Sequence, residues 1–70
     1  MNDADNRTET MVVMYKTERN GPWLRFEAQL TPSRLAELKS SSKEDVNKFL
    51  GELIEPTILG QTILGIDYKL

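Results

Sequence analysis

Residues 10–17 (TMVVMYKT) and 23–30 (WLRFEAQL) are rich in β-branched and aromatic residues, and ERNGP lies between them. Both runs have the composition of strands, and Asn20-Gly21 is a strong two-residue turn signal, so the pair predicts a β-hairpin. With Asn20 and Gly21 as the loop, Tyr15 faces Phe26, Val13 faces Ala28 and Met11 faces Leu30, all on the side of Leu24. The other side then carries Val12, Met14, Lys16, Trp23, Arg25, Glu27 and Gln29. That register sets Lys16 opposite Arg25, a like-charge pair that costs a few tenths of a kcal/mol or so.

A helical period follows the hairpin. Thr31 is a suitable N-cap and Pro32 fits the first turn, where its missing N–H costs nothing. At roughly 100° per residue, Leu35, Leu38, Ser42, Val46, Phe49, Leu50 and Leu53 share one face. That continuity predicts a single long helix through the serines at 40–42. Ser41 with Glu44, or Ser42 with Asp45, forms a capping-box pattern and supports the alternative of two helices. Pro56 disfavours α geometry at Glu55, which ends the helical segment near Ile54.

At the end of the sequence Leu64, Ile66, Tyr68 and Leu70 alternate with Ile63, Gly65, Asp67 and Lys69, the pattern of a half-buried third strand. The expected fold class is therefore α+β, a small ββαβ unit. The hairpin and third strand form one sheet, and the single long helix packs on one face. The third strand runs parallel to the second through a right-handed crossover. Residues 1–9 have too little apolar surface to offset the entropy of ordering and are expected to form a flexible tail, which leaves 10–70 as a single small domain.

The chain has 70 residues, no cysteine and no histidine. Disulfides and thiolate or imidazole metal sites are thereby excluded. A chain this short buries only about 60% of the surface that its unfolded form exposes, so its stability is expected to be marginal. The net charge of −2 is an ordinary mixed surface, and it lacks the basic footprint that phosphate backbones demand. No apolar run approaches the ~20 residues of a membrane-spanning helix, and the N-terminus lacks the order of a secretory signal. A location in the cytoplasm or nucleus is expected.

Nothing in the sequence resembles a catalytic constellation. The serines have no histidine base, the carboxylates at Glu44-Asp45 and Glu52-Glu55 belong to polar faces, and Gly60 and Gly65 do not make a phosphate loop. The expectation is a non-enzyme with no cofactor. Val12, Met14 and Trp23 remain on the hairpin's outward side, and Ile54, Ile58 and Ile63 fall off the main stripe. Apolar residues on both faces of a small sheet point to a covering partner. The candidate partner-binding residues are Val12, Met14, Trp23, Arg25, Phe49 and Leu53. Two alternatives stay open beside a dedicated protein partner. One is an unrelated interaction or inhibitor module that self-associates as a homodimer. The other is direct nucleic-acid binding by Trp23, Arg19 and Arg25, which the interruption of that cluster by Glu18 and Glu27 disfavours.

The segment LAELKSSSKEDVNKFLGEL resembles the helix of the Gon family, the small accessory fifth subunit of the eukaryotic KEOPS (EKC) complex. Leu35, Leu38, Glu44, Asp45, Val46, Asn47, Phe49 and Leu50 stand at the corresponding positions. YKTERNGPWLRFE is similar to that family's N-terminal hairpin through Tyr15, Gly21, Leu24 and Arg25, and the likeness spans residues 11–56. The resemblance implies a non-catalytic subunit that docks on the Pcc-type subunit of KEOPS and supports threonylcarbamoyl modification of adenosine 37 in tRNA. It also implies that the hairpin extends the partner's sheet and the helix packs alongside.

Overall fold

The computed structural model describes residues 7–70. Three strands, β1 (Glu9–Lys16), β2 (Leu24–Leu30) and β3 (Gly65–Tyr68), form one antiparallel sheet in the order β2-β1-β3. Two helices, α1 (Pro32–Lys39) and α2 (Lys43–Ile54), and a short 3₁₀ turn (Glu55–Thr57) connect β2 to β3. The protein is thus a small α+β fold whose helical segment packs on one face of the sheet. Most of the expected tail, residues 1–6, lies outside the described residues, and β1 begins one residue earlier than expected, at Glu9. There Thr10 accepts a hydrogen bond from the Gln29 amide at 2.9 Å.

The hairpin forms with a register shifted by two residues from expectation. Tyr15 pairs with Leu24, Val13 with Phe26 and Met11 with Ala28. The cause is the turn. Neither Asn20 nor Gly21 adopts the positive φ that a two-residue type I′ loop requires,. Instead the Gly21 N–H donates to the Glu18 carbonyl at 3.1 Å, which puts Arg19 and Asn20 at the centre of the turn and Gly21 at its last position,. A Cβ on Gly21 would lie 2.8 Å from that of Glu18, so the close approach demands glycine. A slip of two residues preserves the pleat. Every side chain therefore keeps its expected face, while Lys16 pairs with Gly65 and not with Arg25, which removes the like-charge conflict.

The serines divide the helical segment, contrary to the expectation of one long helix. Thr31 caps α1, its hydroxyl accepting from the Arg34 N–H at 3.2 Å. At the other end the Ser40 and Ser41 hydroxyls donate to the Glu37 carbonyl at 3.0 and 2.7 Å, joining the Ser40 N–H that donates to the same oxygen at 3.2 Å,. Ser42 then caps α2, accepting from the Asp45 N–H at 3.2 Å. Glu44 and Asp45 occupy the first turn of α2, where negative charge suits the positive end of the helix dipole,. Two capping functions in three residues outweigh the continuation of a helix whose apolar stripe Ser42 already interrupts.

Leu38, Val46, Leu50 and Ile54 of the helices pack with Met11, Val13, Tyr15, Ala28 and Leu30 of the sheet, and Ile58 completes this core. Ile54 is fully buried and Ile58 nearly so, while Ile63 packs against the same cluster. The expectation that these three isoleucines fall off the main stripe and are free to meet a partner is thereby corrected. Val46, Leu50, Ile54 and Ile58 form an i, i+4 ladder that continues past the end of α2. β3 runs parallel to β2 in direction, as expected, but pairs only with β1.

Candidate interaction surface

Among the described residues the helices cover one face of the sheet and leave the other bare. On the bare face Val12 is 41% exposed and Met14 half-buried, although their neighbours Val13 and Tyr15 are buried on the opposite side. A shallow depression of about 260 Å³ runs along this face, lined by Val12, Met14, Asp67, Tyr68 and Lys69. Nearer the hairpin end a second, about 290 Å³, is lined by Lys16, Arg19 and Leu64.

Trp23 stands beside Lys16 and Gly65. Its six-membered ring rests against Gly65, where a Cβ would come within 3.2 Å of Cη2. The Lys16 ammonium sits 5.1 Å from the Trp23 ring centre, a cation–π contact,. The indole thus spans the Lys16–Gly65 pair and still remains 46% exposed. An aromatic ring held in place yet left open is the kind of group that anchors an interface, because little freedom is lost when a partner covers it. The role of Gly65 was not recognised in the sequence. A residue without a side chain, alternating with the apolar positions of the third strand, was the available signal, and only the pairing of that strand with β1 sets it opposite Lys16.

Arg25 stands on the same face, and its guanidinium contacts Glu27 at 3.0 Å with both side chains more than half exposed. Val12, Met14, Trp23 and Arg25 therefore share one surface. Phe49 and Leu53 do not join them. Both project from α2 on the helical side and pack against the core cluster, and Arg34 lies 5.1 Å from the Phe49 ring centre. The six candidate residues thus divide between opposite sides of the molecule, four on the bare sheet face and two at the rim of the helical layer. Arg34 is in turn bonded to Glu37.

Among the described residues no helix is long and apolar enough to cross a membrane, and no cluster of acidic side chains is placed to hold a metal ion. No protein-family model, curated protein or solved structure matches this chain.

Proposed function

We propose that this chain is a non-catalytic protein-binding module that docks a partner through the bare face of its sheet. The observation that carries this reading is the half-exposed Trp23, packed on Gly65, beside the exposed Val12 and half-buried Met14. A sheet whose central strand is apolar on both sides gains stability when its second face is covered, and a 70-residue chain has little stability of its own to spare,. Lys16 lies at one end of this apolar strip and Lys69 at the other. The matching partner surface presents an apolar ridge with carboxylates at its margins.

The finer reading makes the partner the Pcc-type subunit of KEOPS, and the protein an accessory subunit that supports tRNA modification. It rests on the resemblance of residues 11–56 to the Gon family. Calorimetric titration of the purified chain with a purified Pcc-type subunit tests both levels. Binding by the wild-type chain supports the finer reading. Loss of at least about 30-fold in affinity for Trp23→Ala, the scale of an interface anchor, places the contact on the bare face. Unchanged affinity in that variant moves the contact elsewhere, and no binding at all by the wild-type chain retires the KEOPS assignment.

A further inference from the structure

The sheet has two edges, and they differ. β3 is four residues long, whereas β2 runs for seven, Leu24–Leu30, and among the described residues pairs with β1 alone. Natural edge strands are protected by proline, charged side chains and lysine above all, a bulge or short length. β2 contains neither proline nor lysine and its seven consecutive pairs with β1 show no bulge, while its two charges, Arg25 and Glu27, are of opposite sign and neutralise each other. Beside its open backbone groups lie Leu24, 38% exposed, and the half-buried Phe26.

The order of side chains along this edge selects its occupant. Two copies that pair antiparallel about a twofold axis place one residue of the strand opposite itself. Centring on Arg25 or Glu27 sets like charges face to face, which is unfavourable. Centring on Ala28 carries Leu24 against Pro32, which has no N–H to give, and matches Glu27 only with Gln29. Centring on Phe26 sets Arg25 opposite Glu27 of the second copy, and Glu27 opposite its Arg25. It also brings the two Phe26 rings together on the helical side and Leu24 against Ala28.

We propose that the β2 edge pairs with the β2 edge of a second copy of this chain, antiparallel and centred on Phe26, joining two three-stranded sheets into one. The Arg25–Glu27 contact seen within the chain is exposed at both ends, so exchanging it for two contacts between copies requires little new desolvation. The helices of both copies fall on the same side, and the bare faces join into one continuous surface of twice the area. This proposal does not depend on the docking role of that face.

Sedimentation equilibrium over a rising concentration range tests it. The expected result is a mass that climbs from the 8.0 kDa of one chain toward twice that value. Arg25→Glu and Glu27→Arg each bring like charges together across the axis and should remain monomeric at concentrations where the wild type is dimeric. An equimolar mixture of these two variants restores opposite charges at both positions and should recover the doubled mass. Val12→Lys, on the face and away from the edge, should dimerise as the wild type does. Hydrogen exchange of the wild-type chain adds a readout independent of any variant: protection of the outward β2 amides should rise with concentration. A wild-type mass that stays at one chain up to millimolar concentration overturns the proposal. So do charge-reversed variants that dimerise like the wild type, a mixture that stays monomeric, loss of the dimer in Val12→Lys, or β2 protection that is independent of concentration.

Discussion

Val12 and Val13 are adjacent, chemically identical and in the same strand, yet one is 41% exposed and the other fully buried. The same contrast holds for Met14 against Tyr15. β1 therefore carries the near-continuous apolar run of a strand meant to be covered on both sides, but among the described residues helices cover only one of them,. The lesson is that the apolarity of a strand states how much of it is to be buried, and only the rest of the chain determines which face it covers itself.

The largest effect expected within that contrast comes from the covered face. Leu50 is fully buried at the centre of the core, so Leu50→Ala should cost about 2–5 kcal/mol. In a chain of this size such a loss unfolds much of the population, and urea titration followed by circular dichroism reads it directly. A loss below about 1 kcal/mol would show that the helices hold the sheet only loosely.

A smaller effect is expected at the junction that lets both helices reach the same face. Ser42→Leu removes the cap of α2 and places leucine where the side chain is exposed, so it should destabilise by about 1 kcal/mol. A gain in stability would instead mark position 42 as buried within a continuous helix. The smallest effect belongs to the bare face. Gly65→Ala pushes against the Trp23 ring, and the expected result is a shift in tryptophan emission with stability changed by no more than about 0.5 kcal/mol. Unchanged emission would mean that the indole does not rest there.

Much of this division was legible in the sequence. The alternation of β1 and β2 assigned each side chain to its face, and that assignment survived an error of two residues in register because the pleat repeats every two. The turn itself was not legible, since Asn-Gly suits a type I′ loop and also supplies the final glycine of a type I turn. Choosing between them depends on the closure of the whole sheet, including the pairing of Lys16 with Gly65 in β3. The serine break was present as a capping pattern, but the apolar period outweighed it. That period persists across the break because Leu38 and Val46, on different helices, pack into one core. Of the candidate interaction residues, the four drawn from the hairpin share a surface because strand parity fixed them. Phe49 and Leu53 are separated from that surface by the thickness of the sheet, which a helical stripe alone does not reveal.

The one-sided sheet is tested most directly by placing the same charge on each of its two faces at neighbouring positions and comparing thermal melts. Val12→Lys meets water and should melt close to the wild type, within the range of surface substitutions, about ±0.5 kcal/mol. Val13→Lys buries an unpaired charge in the core and should leave the chain unfolded. Equal losses in the two variants would contradict the account, because they would mean that the face carrying Val12 is packed as tightly as the face that carries Val13.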